Sequence, residues 1–388
     1  MRVLAIIDTL SFGGAEHLLA TLATAAPSAD LRLDVASLTP ADDERRAMHP
    51  VLEAAGLAPR YIGVRKLRDP GAVPRVAAAI RASGCDVVHA HLATSATLVP
   101  PAARMAGVPA VCTMHHVPGE LPTRERVKER LAVASGSRSR ALIFVSDGAR
   151  RAFAKRYRPN ARTWTVVHNG LDLSSFHVAP ADPPADLGIP ADVPLVSLVA
   201  VMRAPKRHDV AVAAWPRVLE AVPEARLLLV GDGAQDSALR AQTARLGLGD
   251  RVVFAGARRD VARLLQASDL TLLPSETEAL PTSLIEAAAC GRAAVATRVG
   301  GVPEVVEHGR NGLLVAPGDT RALADAVVTL LRDPDRREAM GRRGRQLAEQ
   351  RFDMHVWART LRRVYEYAIS GRGADPADVR VPGGYQAS

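Results

Sequence analysis

The sequence predicts an α/β chain folded as two Rossmann-like, doubly wound parallel-sheet domains that face a central cleft. Three observations carry this. Short β-type runs alternate with longer helical patterns along the whole chain. Many of these runs are continuously apolar, the pattern of strands buried on both faces by flanking helices. A proline-rich stretch, "APADPPADLGIPADVP" (179–194), divides the runs into two series.

The first series is "VLAII" (3–7), "LRLDVASL" (31–38), "DVVHA" (86–90), "PAVCTM" (109–114), "ALIFV" (141–145) and "TWTVV" (163–167). The second is "LVSLVAV" (195–201), "RLLLV" (226–230), "RVVFAG" (251–256), "DLTLL" (269–273), "AAVAT" (293–297) and "GLLV" (312–315). From Asp333 the pattern turns helical to about Ser370, and the tail is poor in apolar residues and expected to be disordered. The expected domains are therefore 1–178, a linker 179–194, 195–353, a last helix 354–370, and a tail 371–388. Sheets of this kind bind ligands beyond the carboxyl ends of their strands, so the loops that follow the strands are where chemistry is expected.

Composition narrows the partners. The 388 residues are 48% hydrophobic and 23% charged, ordinary for a globular protein, with a formal charge of +9. Between Arg124 and Arg162 stand twelve Arg/Lys against only Glu125, Glu129 and Asp147. Such a segment suits an anionic membrane surface or an anionic substrate, although a solvated helix face would leave the same pattern. Aromatic residues are sparse there and no nucleic-acid motif accompanies it, so no nucleic-acid partner is expected. Cys85, Cys112 and Cys290 are far apart, which argues against zinc or a disulfide framework. The apolar run before Asp8 is too short for a signal peptide, and no stretch of 18 apolar residues exists. A cytoplasmic location is expected, with peripheral contact to the inner face of a membrane possible.

Several loops hold candidate site residues. Gly13 and Gly14 precede a helix, where free backbone N–H groups favour a phosphate. "GDGAQD" (231–236) is a signal of the same kind and equally weak, since it lacks the third glycine of a G-x-G-x-x-G pattern. His89 and His91 in "DVVHAHL", with His115 in "CTMHH", stand at the ends of neighbouring strands and suggest a pocket more than a metal centre. Arg203 and Lys206 in "VAVMRAPKRHD" follow the first strand of the second domain, where a fixed cation could neutralise a diphosphate. The stretch "PSETEALPTSLIEAAACG" (274–291) carries Glu278 and Glu286. Ser283-Leu-Ile-Glu286 matches a capping box, which would occupy Glu286 locally and leave Glu278 with no local structural task.

Together these stretches resemble the retaining glycosyltransferases of family 4, which have the GT-B fold. The resemblance runs from "GGAE" (13–16) through "VVHAHL", "TMH", "HNGLD" (168–172), Lys206, "GDG" and the E-x7-E pair Glu278/Glu286 to "VGGVPEVVEHGRNGLLVAPGD" (299–319). It implies a nucleotide-sugar donor in the second domain, with a UDP-sugar favoured and a GDP-sugar next, and a glycan or lipid-linked acceptor in the first. By the same resemblance Glu286 binds the ribose hydroxyls and Glu278 the transferred sugar. Leu280 and Thr282 offer backbone N–H groups to the donor, Lys206 and Arg203 meet the diphosphate with help from Gly13 and Gly14, and His115 lies near the sugar. His89, His91 and Asn169, the last in "HNGLD", are pocket or acceptor candidates. Transfer would need no metal and no cofactor, and the last helix, with Trp357 and Tyr365, would cross back to the first domain. Two positions depart from the family pattern: Val201 stands where an arginine is usual, and Ala279 replaces a glycine whose φ could be positive. A nucleotide-sugar 2-epimerase and a non-catalytic nucleotide-sugar-binding protein are the alternatives.

Overall fold

A computed structural model describes residues 1–11, 13–119, 122–157 and 162–371. The chain divides into two compact units, Met1–Gly170 with the C-terminal stretch from Arg351, and Leu171–Gln350.

The first unit follows a strict strand–helix alternation: β1 (Arg2–Ile7), α1 (Gly14–Ala25), β2 (Arg32–Ser37), α2 (His49–Ala54), β3 (Arg60–Tyr61), α3 (Ala72–Ser83), β4 (Val87–His91), α4 (Ala93–Ala106), β5 (Ala110–Met114), α5 (Thr123–Gly136), β6 (Ala141–Phe144), α6 (Asp147–Tyr157) and β7 (Trp164–Val166). Its seven strands are parallel, in the order β3-β2-β1-β4-β5-β6-β7. The order reverses between β1 and β4, so the loops after these two strands diverge and leave room beyond the strand ends.

The second unit repeats the plan with β8 (Leu195–Val199), α7 (His208–Ala221), β9 (Arg226–Val230), α8 (Asp236–Arg245), β10 (Val252–Gly256), α9 (Val261–Ala267), β11 (Leu270–Leu273), α10 (Thr282–Ala289), β12 (Ala293–Thr297), α11 (Val302–Val305), β13 (Gly312–Val315), α12 (Thr320–Leu331) and α13 (Pro334–Arg351). Six parallel strands lie in the order β10-β9-β8-β11-β12-β13, with the reversal between β8 and β11.

All twelve apolar runs become strands. Continuous burial explains why they are apolar: every residue of β4, β5, β6, β9, β11 and β12 is buried. The two-residue β3 is too short to leave a period in the sequence. Residues 171–178, which composition assigns to the first domain, pack with the second unit. Leu171, Leu173 and Phe176 lie on Ala288, Ala289 and Ala348, and Phe176 also meets Leu265 and Cys290. Those apolar residues sit in a loop whose spacing matches neither a helix nor a strand. Most of the proline-rich stretch lacks regular structure, yet Leu187, Ile189 and Val193 anchor it on Leu195, Leu228 and Leu264.

The last helix, α14 (Met354–Ser370), belongs to the first unit. Asp353 caps it, its side chain accepting from the N–H groups of His355 at 2.8 Å and Val356 at 3.2 Å. Its apolar face, including Trp357, Leu361, Val364 and Tyr365, packs with Val3, Leu18, Val87 and Val111. Gly170 keeps this contact close, since a Cβ there would stand 2.8 Å from Trp357 Cβ. The expected disorder of 371–388 falls outside the described residues apart from Gly371.

Candidate active site

In the second unit the loops after β9, β8, β11 and β12 gather at the reversal of strand order. Lys206 follows β8 on a short 3-10 turn, Ala204–Lys206. Glu278 follows β11. The Lys206 ammonium donates to Glu278 Oε1 at 2.6 Å, and Ser275 Oγ donates to the same oxygen at 2.7 Å. The carboxylate of Glu278 is buried, with its side chain 8% exposed, and Lys206 is 19% exposed. Glu278 thus has a local partner set that capping rules do not reveal. The backbone binds the two loops as well, with Glu276 N–H donating to Pro205 O at 2.8 Å.

The capping box does not form. Helix α10 begins at Thr282, with Pro281 as its N-cap and no side-chain cap. Ser283 therefore lies inside the first turn instead of before it, and Glu286 falls two positions beyond N3, too far along the helix to reach back. Glu286 instead sits half-buried, its side chain making no hydrogen bond or ion pair among the described residues. Burial alone pushes its carboxyl up to about 7. Among the described residues, Leu280 and Thr282 N–H donate to no backbone oxygen, as expected at and before a helix start. Gly291 ends α10 in the left-handed region, at φ 72°.

Glycines let the surrounding backbone close in. Gly231 and Gly233, at φ 135° and 148°, pass so near Ala200 and Met202 that neither could carry a Cβ without overlap. Gly300, at φ 48°, lies against the carbonyl of Glu278, and Gly301 N–H donates to that carbonyl at 3.1 Å. Gly300→Ala should therefore cost about 2 kcal/mol or more, read as a lower urea midpoint, because both the conformation and the space are wrong for a side chain. Ala279 is not at positive φ, so its departure from glycine carries no strain. Val201 is 50% exposed, and Arg203 beside it is exposed with no side-chain partner among the described residues.

The first unit gathers histidines at its own reversal. His91 pairs in register with Ile7 of β1, at the strand ends. His91 Nδ1 and His115 Nε2 are 3.0 Å apart, one donating to the other. The rings of His89 and His91 are 4.1 Å apart. His89 Nε2 lies 2.6 Å from Thr113 Oγ1 and its Nδ1 lies 2.8 Å from Tyr365 OH on α14. Burial drives all three imidazoles far below their usual range, His89 and His115 to about 3, so they are neutral. His91 Nε2 and His115 Nδ1 are buried without a partner. A neutral pair sharing one hydrogen bond has one proton on the outer nitrogens, so an arriving oxygen group can meet either a donor or an acceptor.

Beside the histidines stands Asp8, which no sequence motif marks. Its carboxylate accepts from Thr94 N–H at 2.9 Å, and from the N–H and hydroxyl of Ser95, each at 2.6 Å, and so caps α4 across the sheet. Leu92, between the strand and that helix, is held at φ 74°. No local pattern announces an Asp that caps a helix more than eighty residues away.

Gly13 and Gly14 do open α1, where Gly13 is an extended N-cap. Glu16 is buried behind them and accepts from Ser11 Oγ at 3.2 Å. Burial raises its carboxyl above the usual range. Asn169 is buried beyond β7, three strands from β4, with no hydrogen bond among the described residues. The structure thus joins Lys206 to Glu278 and His89 to His91 to His115, and it leaves Asn169 apart from the histidines.

Two doubly wound parallel sheets, with the histidine cluster at the reversal of the first and the Lys206–Glu278 pair at that of the second, mark the GT-B class of proteins. Models of two families match the chain, "Glycosyltransferase Family 4" over residues 12–175 and "Glycosyl transferases group 1" over residues 193–333. The chain belongs to glycosyltransferase family 4. It is 32% identical over 312 residues to the D-inositol 3-phosphate glycosyltransferase of Thermobispora bispora, 73% of this chain and 71% of that one. It is 39% identical over 167 residues to the N-acetyl-alpha-D-glucosaminyl L-malate synthase of Bacillus anthracis, covering 43% of this chain and only 44% of that protein. Among solved structures, Anabaena Alr3699/HepE in complex with UDP-glucose superposes with a TM-score of 0.77 at 25% identity, over 96% of this chain and 100% of that one.

Proposed function

We propose that the protein transfers a sugar from a nucleotide-sugar donor, a UDP-sugar first and a GDP-sugar next, to a hydroxyl of a glycan or lipid-linked acceptor, with retention at the anomeric carbon. The observation that carries this reading is the Lys206–Glu278 pair at the strand reversal, beside an unpartnered Glu286 and the free N–H groups of Leu280 and Thr282. The UDP-glucose complex of the Anabaena protein supports the donor class.

The roles follow from chemistry. Glu286, once ionised, offers two adjacent acceptor oxygens to the two hydroxyls of a ribose. Lys206, Arg203 and the helix-start N–H groups of Leu280 and Thr282 take the diphosphate charge. Glu278, held by Lys206 and Ser275, orients the transferred sugar. His115, with His91 and His89 behind it, is assigned to the sugar and acceptor. The acceptor oxygen bonds to the anomeric carbon from the face that the diphosphate leaves, the carbon–oxygen bond to the diphosphate breaks, and the departing phosphate oxygen takes the acceptor proton. Positioning and charge stabilisation then lower the barrier, with no protein base and no metal required. A donor incubation with and without candidate acceptors tests this: nucleotide release that rises with acceptor supports transfer, whereas epimerised donor without acceptor, or binding with no turnover, would falsify it.

The same reading places the enzyme peripherally on the inner, anionic face of a membrane through residues 124–162. Among the described residues no helix is long and apolar enough to cross one. Helix α5 supports surface docking, because Val127, Leu131 and Ala134 form an exposed apolar stripe among Arg124, Arg126, Arg130 and Arg138. Val127 is 52% and Leu131 47% exposed. Co-sedimentation with anionic vesicles should be strong at low salt and lost at high salt; salt-insensitive binding, or none, contradicts it.

A further inference from the structure

A cavity of about 580 Å3 opens in the first unit beside α5, away from both strand reversals. Arg130, Arg138 and Arg162 line it together with Ala134, Ser137 and Tyr157, and among the described residues no carboxylate does. Arg130 and Arg162 make no ion pair or hydrogen bond among the described residues. Arg138 uses one guanidinium nitrogen, donating to Ala134 O at 2.9 Å, and keeps the rest of its fork. Elsewhere in the basic segment the pattern differs: Arg150 and Arg151 both pair with Asp147. Three unneutralised guanidinium groups around one cavity repel one another, and an anion there removes that cost.

The other lining groups are already satisfied and form walls. The hydroxyl of Tyr157 donates to Glu129, and Ser137 Oγ accepts from Trp164 Nε1 at 2.9 Å. The guanidinium fork matches phosphate oxygens two at a time. The volume lies within the range of ligand pockets and exceeds what a bare phosphate fills. What stands behind the phosphate is indicated by Ala134, which lines the cavity and also ends the exposed stripe of Val127 and Leu131.

We propose that this cavity seats the terminal phosphate of an anionic lipid, with Arg130, Arg138 and Arg162 on its oxygens and the α5 stripe against the acyl surface. The inference rests on the membrane-docking reading and adds head-group selectivity to it. The full chain should be sedimented with phosphatidylcholine vesicles carrying either phosphatidic acid or phosphatidylglycerol, matched in surface potential. Binding to phosphatidic acid should be tighter by about fivefold or more, the effect of one well-placed basic residue. Arg130→Ala and Arg162→Ala should erase the preference. Arg126→Ala, on the same helix but off the cavity, should weaken binding to both vesicles alike. Inorganic phosphate at constant ionic strength should reduce the phosphatidic acid preference. Equal binding to both lipids, with Arg130→Ala behaving as Arg126→Ala, overturns the cavity assignment and leaves docking standing. A phosphate-induced rise in melting temperature without any lipid preference overturns the lipid assignment in favour of a soluble anion. Absence of salt-sensitive binding to either vesicle removes the docking reading itself.

Discussion

Lys206→Ala should lower kcat/KM for donor turnover by roughly two to three orders of magnitude, the usual effect of removing one preorganised charge from a transferring phosphate. It should also lower stability. Glu278 is buried, and Lys206 is the cation on its carboxylate, with Ser275 the other donor. Removing one partner of such a pair leaves the other charge uncompensated, at a cost of about 3 kcal/mol. The two effects separate in a double variant. Lys206→Met with Glu278→Leu removes both charges and replaces them with apolar volume, so urea unfolding should recover most of the lost stability while turnover stays at least as low as in Lys206→Ala. Recovery of turnover in the double variant would mean that the pair is structural only.

Glu286→Gln should abolish most nucleotide affinity and, in the empty protein, raise stability above neutral pH. Burial lifts the Glu286 carboxyl to about 7 in the folded chain, against 4.5 as its ordinary value. The folded state therefore holds the proton more tightly than the unfolded state. The stability this contributes is fully present below about pH 4.5 and is lost as pH rises through 7. Ionisation costs stability in the empty site, whereas ribose binding needs the carboxylate, so nucleotide affinity should rise as pH climbs through 7. The neutral histidines act in the opposite sense. His89 and His115, depressed from 6.5 to about 3, and His208, to about 4, contribute stability present above pH 6.5 and lost as pH falls toward those values. Melting curves of wild type and Glu286→Gln across pH 4 to 9 isolate the glutamate. Parallel curves would mean that Glu286 is solvated and titrates normally.

Much of the fold was legible because buried parallel strands leave continuous apolar runs and loops between them break the pattern. The helical pattern after Asp333 leads into α13 and α14, the latter ending at Ser370. What escaped was set by contacts distant in sequence. The attachment of Leu171, Leu173 and Phe176 to the second unit depends on Ala288 and Ala348, and the capping of α4 depends on Asp8. The site was legible as a set of residues but not as a set of partners. Glu278 was read with no structural task, yet it binds Lys206 and Ser275. Glu286 was read as a possible cap, yet the helix starts from Pro281, two residues too soon for that. A local motif such as S-x-x-E specifies a cap only if the preceding backbone stops where the motif needs it to, and here the proline and the turn after β11 decide that point.

The central claim is that Glu286 and its neighbours hold a nucleotide-sugar, and thermal shift of the full chain with UDP, GDP, ADP and dTDP tests it most directly. A ligand that binds only the folded state raises the melting temperature by mass action. One nucleotide, with UDP expected first and GDP second, should raise it clearly, and Glu286→Ala should lose that rise while melting normally when empty. A flat response to all four, or an undiminished rise in Glu286→Ala, would contradict the account.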